Sequence, residues 1–312
     1  MVNAPYRNRF LAGIKIASII ILLFIAVIAT SGHLSAATGN PNDDADTLKN
    51  NRGWNFGINL GAYFASKYSA GFYSGLPTNE NKISLILNNH YYQEEIKRQL
   101  NGDTSRLLEL PANMKYSPAF NIGFFVKYNF IKNTGVFLNV NFAKLKTNDV
   151  FTMGIGPYLN GYSFDNIQTF PIWGIENRTN IDIGFMQMFP TSDYVDFFVE
   201  GGLNINNVQV KENKIAIGDL SYSIVDVYGG QNYVPNATLQ QYVVRQGGLG
   251  FGGFAGVGLR LNFSRTVSID PGFDFYWTQT NLTGYEAFRP NYSVYVRLCM
   301  RNLFGKSNNE SL

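Results

Sequence analysis

The sequence predicts an all-β protein: a closed antiparallel β-barrel that spans a membrane, with eight strands, or ten as the alternative. Three observations lead to this fold class. Segments of alternating apolar and polar residues recur, the connections between them alternate between long and short, and a segment typical of a secretory signal peptide opens the chain. The composition agrees, because 25 Phe and 19 Tyr among 312 residues, with only 15% charged residues, need a buried or lipid-facing surface.

The first 37 residues have the parts of a signal peptide. Basic residues precede an apolar run at 16–29, and small residues follow at Ser35 and Ala37. An uncleaved membrane anchor is the alternative, but a transmembrane helix needs about 20 apolar residues. We therefore predict a signal peptide at 1–37 and a periplasmic lead at 38–51. The signal carries three cations and no acid, and the whole chain has net charge +3, so the remainder is neutral and gives no reason to expect nucleic acid.

The first strand shows the alternation most clearly. Residues 54–64 place apolar side chains on one face and small or polar ones on the other, with Tyr63 as the exception. A period of two over eleven residues predicts a strand with one apolar face. Strands of soluble proteins average about five or six residues, whereas a tilted strand needs about 9–11 residues to cross a bilayer. The length therefore favours a membrane barrel.

Seven further segments repeat this pattern, at 120–130, 136–143, 175–185, 195–206, 249–261, 267–278 and 292–301. Pro271 lies within the seventh strand and must leave a ladder hydrogen bond unmade, and Gly272 beside it suggests a bulge or kink. Two other stretches, 150–155 and 221–227, are either additional strands or extensions of long hairpins. Eight strands are favoured over ten on this basis.

The lengths of the connections predict which side of the membrane each end of the barrel faces. Those at 65–118, 146–172 and 211–247 are long and that at 279–290 is medium-long, whereas those at 131–135, 190–194 and 264–266 are short. Short periplasmic turns with longer outer loops are typical of outer-membrane barrels. We predict a barrel at 52–305 and a short periplasmic tail at 306–312, in the bacterial outer membrane with both termini periplasmic.

The first long connection contains a predicted amphipathic helix. Apolar residues recur at helical spacing between residues 78 and 100, and Gly102 suits the position after a helix end. Such a helix could cap the barrel mouth, face a partner, or pack on its own loop.

The inward faces carry aromatic residues and charges. If 264–266 is a turn, Arg260 and Asp270 lie opposite each other on adjacent strands, and Arg297 on the next strand is near enough in depth to join them. Buried charges must be paired, so we predict an interior ion network. Its members are Arg260, Asp270, Asp274, Arg297, Glu200 and Lys127. A gated pore or a ligand site is the alternative interpretation.

The sequence contains no convincing catalytic, cofactor or metal site. After the signal segment His90 is the only histidine, and Cys299 is the only cysteine, which excludes His- or Cys-clustered metal sites and disulfides. Gly248 to Gly253 match a dinucleotide-binding pattern, but no helix is predicted after them, so we interpret them as strand glycines. We predict a protein without enzymatic activity and without a cofactor.

The chain resembles the outer-membrane β-barrel proteins of the Bacteroidota that are called PorT-like. The resemblance lies in residues 54–61 (WNFGINLG), 119–128 (AFNIGFFVKY) and 267–276 (VSIDPGFDFY). Some members of that group serve type IX secretion and gliding, and the family motif supplies no catalytic residue. The resemblance thus implies a role in an envelope assembly.

We therefore expect a structural or partner-binding component of the cell envelope, which acts through its surface loops. Aromatic residues are enriched at recognition hot spots, and the outer connections supply several of them. The candidate interface residues are Phe72, Tyr73, Tyr91, Tyr92, Tyr228 and Tyr233. The expected partners are outer-membrane lipid, lipopolysaccharide and envelope proteins. A small-solute channel and an adhesin-like surface binder are the rival functions.

Overall fold

The computed structural model describes residues 53–101, 105–131, 133–156, 166–192, 194–225, 244–264 and 266–301. The predicted signal peptide, periplasmic lead and C-terminal tail lie outside these residues, as do Tyr228 and Tyr233. No helix within the described ranges has the length and apolar character needed to cross a membrane.

Eight antiparallel strands close into a ring. They are β1 (Gly53–Phe64), β3 (Ala119–Ile131), β4 (Thr134–Ile155), β5 (Asn166–Pro190), β6 (Val195–Ile217), β8 (Leu249–Asn262), β9 (Val267–Thr278) and β10 (Arg289–Arg301). Each pairs with the next one along the ring, and β1 also pairs with β10. The predicted closed barrel of eight strands is confirmed. Two short strands, β2 (Ser105–Glu109) and β7 (Leu220–Ser223), pair with β4 and β6 outside this ring.

The alternation places polar and aromatic side chains inside the barrel and apolar ones outside. On β1, Asn55 and Asn59 are buried, whereas Ile58 and Leu60 are 41% and 49% exposed. Large exposed apolar residues recur on the outward face of all eight ring strands. From Trp54 to Phe64 the strand spans about 33 Å along its axis, or about 25 Å across a bilayer at a tilt of about 40°. This height matches the apolar band of about 25 Å in membrane barrels.

Exposed aromatic residues lie near both edges of this band. Near the short turns they are Phe130, Phe189, Tyr194 and Phe263; near the long connections they are Phe64, Phe120, Trp277 and Tyr292. Aromatic girdles at the two interfaces are typical of membrane barrels, because amphipathic rings are stable at headgroup depth.

The predicted bulge at Pro271 does not form. The pairs Gly258↔Gly272 and Leu261↔Ile269 on either side of Pro271 have the same register, so no residue is inserted. The ladder between β8 and β9 is interrupted over this short stretch instead. On its other edge Pro271 still lies opposite Val296 of β10.

Strands β4, β5 and β6 are much longer than the other five ring strands. They have 22, 25 and 23 residues, against 12 to 14 for the others. The pairing of β4 with β5 continues without a break from Thr134↔Gln187 to Ile155↔Asn166, whereas that of β5 with β6 shifts register between Ile175 and Glu176. Hence most of the predicted loop at 146–172, and the beginning of the one at 211–247, is strand. Residues 150–155 extend β4, and β7 is a short edge strand at the end of β6.

The first connection folds into short helices rather than one long helix. These are α1 (Lys67–Ala70), a 3-10 helix (Gly71–Tyr73), α2 (Ser84–Leu87) and α3 (His90–Leu100). The break between α2 and α3 comes at Asn89, which has extended backbone angles and accepts a hydrogen bond from the Tyr91 amide. The helix ends at Asn101, whose φ of 49° is left-handed. Gly102, which was predicted to follow the helix end, lies outside the described residues.

The barrel interior contains one apolar cluster, which includes Phe125, Phe137, Phe198 and Phe254, and a second apolar core lies beyond it. We call it the outer core. From the first connection it takes Ala70, Phe72, Tyr73, Ile83, Ile86 and Ile96; from the long strands and β7 it takes Phe151, Met153, Phe170, Ile172, Ile215, Ile217 and Tyr222. The helices therefore pack on the inward face of the extended sheet. Of the three roles predicted for the helix, this packing favours capping and packing on its own loop.

Candidate functional site in the barrel interior and outer connections

Arg260 and Asp270 form an ion pair near the short-turn end of the barrel. Arg260 Nη2 lies 2.6 Å from Asp270 Oδ2, and Nε lies 3.0 Å from Oδ1. Ser268 Oγ donates a further bond to Oδ1 at 3.0 Å. Both charged side chains are fully buried. The carboxylate is therefore compensated by a bidentate partner and a hydroxyl, as a buried charge requires.

Arg297 does not join this pair, contrary to prediction, although it lies opposite Asp270 in the register. Its Nη1 and Nη2 lie 3.2 and 3.1 Å from Glu200 Oε2 and Oε1, and its Nε donates to Asn59 Oδ1 at 2.9 Å. The guanidinium also lies 3.7 Å from the centroid of the Phe125 ring. Arg297 therefore spans the lumen from β10 to β6, and the predicted network divides into two separate ion pairs.

Glycines on the intervening strands make room for this arrangement. A Cβ at Gly272 would lie 2.5 Å from the Tyr295 ring, and one at Gly256 would lie 2.1 Å from Asp274 Oδ1. Tyr295 fills the space at Gly272 and donates a hydrogen bond from its hydroxyl to Glu200 Oε1 at 2.8 Å. Arg297 can therefore reach Glu200 across the lumen because interior positions between them, Gly256 and Gly272, carry no side chain.

Asp274 belongs to an amide- and hydroxyl-lined group rather than to an ion pair. The Tyr276 hydroxyl lies 3.3 Å from Asp274 Oδ2 and 3.1 Å from Asp182 Oδ2, so it bridges the two carboxylates. Asp182 also accepts from Asn204 Nδ2 at 2.7 Å and from Asn139 Nδ2 at 3.2 Å. The lumen at this level is filled by hydrogen-bonded side chains.

Lys127 also departs from the predicted network. Its ammonium contacts the sulfur atoms of Met186 and Met188 at 3.3 and 3.4 Å, and it is fully buried. Within the described residues it makes no ion pair with a carboxylate. Thioether sulfur is a weak acceptor, so the buried charge of Lys127 is poorly compensated.

A third ion pair, which the sequence interpretation missed, lies where the barrel meets the outer core. Arg178 Nε donates to Glu176 Oε1 at 3.0 Å. The other carboxylate oxygen accepts from the hydroxyls of Tyr73, at 2.7 Å, and Tyr116, at 2.9 Å. The alternation on β5 could have identified the pair, since Glu176 and Arg178 share the inward parity of Asp182.

Tyr73 ties the first connection to the barrel mouth. Its ring occupies the space above Gly174, where a Cβ would lie 2.1 Å from Tyr73 Cδ1. Burial, together with the adjacent Glu176 carboxylate, raises the pKa of the Tyr73 hydroxyl well above its ordinary value. The same two causes raise the pKa of Tyr116. Both phenols therefore remain protonated donors at neutral pH and close the mouth over Glu176.

The predicted loop interface is only partly exposed. The prediction that Phe72 and Tyr73 lie on the surface is wrong, because both side chains are fully buried in the outer core. Tyr92 packs on Tyr222 with ring centroids 4.9 Å apart, whereas Tyr91 is 40% exposed beside the His90 ring. Tyr228 and Tyr233 lie outside the described residues. Aromatic loop residues here serve mainly to pack the first connection onto the extended sheet.

Chemical groups suited to catalysis or metal binding are sparse in the part of the chain that the structure describes. No group of three or more His, Cys, Asp or Glu side chains is placed there to hold a metal ion. His90 is exposed at the start of α3. Cys299 is buried, with its sulfur 3.5 Å from Asp270 Oδ2. The buried side chains of the barrel interior can therefore compensate one another's charges and fill the lumen.

Comparison with known proteins gives neither a family nor a curated relative. No family model matches the chain, and no curated protein matches it. The resemblance to PorT-like barrels therefore stays a prediction.

Several solved structures have a similar course of the chain. Neisserial surface protein A is 9% identical with a TM-score of 0.40, covering 80% of this chain and 96% of that one. Ail, the attachment invasion locus protein of Yersinia pestis, is 12% identical with a TM-score of 0.31, covering 80% and 98%. The outer membrane protein OprG of Pseudomonas aeruginosa is 9% identical with a TM-score of 0.38, covering 81% and 96%. Because these identities and TM-scores are low, the evidence for the closed barrel is the strand pairing within this chain.

Proposed function

We propose that the chain is a non-enzymatic integral protein of the bacterial outer membrane, whose closed barrel anchors a folded outer segment that binds a partner at the cell surface. The observation that carries this proposal is continuous filling of the barrel. Interior side chains extend from the Arg260–Asp270 pair near the short turns to the Tyr73–Glu176 contact at the opposite mouth. Beyond that mouth the outer core begins.

The membrane location is supported by the outward surface. An apolar band with aromatic edges encircles the eight strands, and the closed ring satisfies the backbone groups of each strand within lipid. The short turns belong on the periplasmic side and the long connections outside, as is usual for such barrels. This orientation puts both termini in the periplasm.

The filled lumen argues against a solute channel. An eight-stranded barrel is just wide enough for its own side chains or one small ligand. Here the largest fully buried side chains in the lumen include Arg178, Arg260, Arg297, Tyr276 and Phe125. The outer core then covers the far mouth. We infer that the barrel holds the outer segment in place rather than passing solutes.

A partner surface is available on the outward face of the extended sheet and on α3. Val150 and Ile167 are 47% and 63% exposed on β4 and β5, beyond the apolar band, and Leu108 of β2 is 36% exposed. Tyr91 adds an exposed ring on α3. Exposed apolar side chains outside the lipid-facing band are candidates for contact with another protein. An envelope protein, including a secretion or gliding component, is the proposed partner; an adhesin-like contact with another cell is the alternative.

Conductance measurements test the closed barrel. The full chain, refolded into a planar bilayer, should give no stable open-channel current, while an open porin added to the same bilayer should conduct. Stable ion-selective currents from the full chain would instead establish a channel.

Crosslinking from defined positions tests the partner surface. A photocrosslinking amino acid at Ile167 or Tyr91 should give a discrete protein adduct in intact envelopes. The matched control is Leu203, which is 70% exposed on the lipid-facing surface and should give no such adduct. Equal adducts from all three positions, or none from any, would contradict a specific surface.

A further inference from the structure

The outward face of β4 changes abruptly from apolar to basic. On β4 the outward residues Val136, Leu138, Val140 and Phe142 are followed by Lys144 and Lys146, both exposed. Ile122 and Thr179 lie opposite Phe142 on the neighbouring strands, and beyond this row the outward face of β4 carries no further apolar residue until Val150. The two lysines therefore lie at the edge of the apolar band nearest the long connections.

Neighbouring strands bring two more lysines to this edge. Lys214 lies opposite Trp173 of β5, which lies opposite Asn148, two residues beyond Lys146. Lys115 is exposed and precedes Tyr116, which pairs with Thr147 of β4. With strands about 4.8 Å apart and alternate residues about 6.7 Å apart, these positions fall within about 17 Å of one another. We call Lys115, Lys144, Lys146 and Lys214 the basic rim.

The basic rim has a surplus of positive charge. Glu212 pairs with Lys214 at 3.3 Å. Among the described residues, Lys115, Lys144 and Lys146 have no carboxylate within ion-pair distance. Like charges on neighbouring sheet positions repel each other, so this arrangement costs stability unless an anion lies between them. Long lysine side chains at the edge of an apolar band reach naturally toward the headgroup layer.

We propose that the basic rim binds the phosphate groups of lipid A, the phosphorylated glycolipid of the outer leaflet. Its acyl chains would lie along the apolar surface formed by Ile122, Phe124 and Phe142, directly beside the lysines. Trp173, between Asn148 and Lys214, supplies an amphipathic ring at the same depth. This inference rests on the proposed membrane location and orientation, and it assigns one lipid-binding face to an otherwise uniform barrel wall.

Titration of the full chain with lipid A, followed by native mass spectrometry, tests the proposal. The variant K115Q/K144Q/K146Q should bind about a hundredfold more weakly, because each lysine near an anionic headgroup contributes roughly fivefold. The control K82Q/K97Q/R98Q removes the same charge from the first connection and should bind as tightly as the unaltered chain. Lipid A binding by the rim variant within twofold of the unaltered chain overturns the proposal.

Further experiments identify which group of lipid A is bound. They also distinguish failure of this inference from failure of the proposed function. Dephosphorylated lipid A should bind the rim variant and the unaltered chain equally, and inorganic phosphate should not compete. Raising NaCl from about 50 to about 500 mM should weaken binding to the unaltered chain but hardly affect the rim variant. Equal salt sensitivity in both would count against the rim. Failure of the unaltered chain to insert into vesicles would refute the membrane location itself.

Discussion

Replacing Arg297 with Met tests whether the interior ion pair holds the barrel together. The substitution removes two guanidinium–carboxylate bonds, at 3.1 and 3.2 Å, and the bond to Asn59 at 2.9 Å. Glu200, only 2% exposed, would keep the Tyr295 hydroxyl as a donor but lose its compensating charge. Asp274 lies across Gly256 from it and adds repulsion. We expect the free energy of unfolding to fall by about 3–5 kcal/mol, the cost of stranding one buried partner.

A double-mutant cycle isolates the pair from the loss of packing. E200Q alone strands the guanidinium, whereas R297M/E200Q leaves no unpaired charge between these two positions. The double variant should therefore be at least 2 kcal/mol more stable than the sum of the two single losses implies. Urea unfolding of vesicle-embedded protein, followed by Trp fluorescence and by heat-modifiable migration on gels, measures all four corners. Exposed Arg98 provides the control, since R98M should change stability by less than about 0.5 kcal/mol.

Two results would refute this reasoning. If R297M lowers the free energy of unfolding by less than about 1 kcal/mol, Glu200 is compensated by other means. If the losses of the two single variants simply add, the two side chains do not interact as the distances indicate.

Three further predictions use the same unfolding assay or a protease. K127M should raise the free energy of unfolding by about 1–3 kcal/mol, because it replaces a buried ammonium held by thioethers with an apolar side chain; a loss of stability would mean that the charge is compensated. G174A should expel the Tyr73 ring and speed proteolytic cleavage of the first connection while the barrel remains heat-modifiable; an unchanged cleavage rate would contradict this anchoring. The pKa values of Tyr73 and Tyr116 are raised on folding, so their contribution is complete below the unfolded pKa of about 10 and is lost as pH rises through the folded values. Y73F/Y116F should therefore lose less stability than the unaltered chain above pH 10, and parallel pH profiles would exclude this linkage.

Alternation, together with the long and short connections, was enough to predict the ring of eight strands, because alternating faces repeat over lengths that soluble strands rarely reach. It also placed Arg260 opposite Asp270, since a tight turn determines which residues pair. The partner of Arg297 could not be predicted in this way. It lies across the lumen on β6, and its accessibility depends on the space that glycines such as Gly256 and Gly272 leave open.

The outer core was missed for a different reason. Phe151 and Ile172 continue the inward parity of β4 and β5, but polar inward residues such as Thr147 and Glu176 separate them from the apolar residues of the barrel interior. The sequence pattern therefore suggested that the membrane strand ends there. It did not show that the same face of the strand continues and packs against the first connection. Phe72 and Tyr73 were interpreted as exposed because their burial depends on strands far away in the chain.

The sharing of β4, β5 and β6 between the barrel and the outer core has a consequence for the order of folding. Residues 67–100 come early in the chain, directly after β1. The residues of β5, β6 and β7 that they pack against come about a hundred residues later. Asn81 exchanges two hydrogen bonds with Gln246, 165 positions away. The first connection must therefore wait, with apolar residues uncovered, until the later hairpins are inserted. Contacts of such long sequence separation slow folding and leave intermediates prone to aggregation. A chaperone that shields this segment during assembly would consequently benefit this protein more than a barrel with short loops.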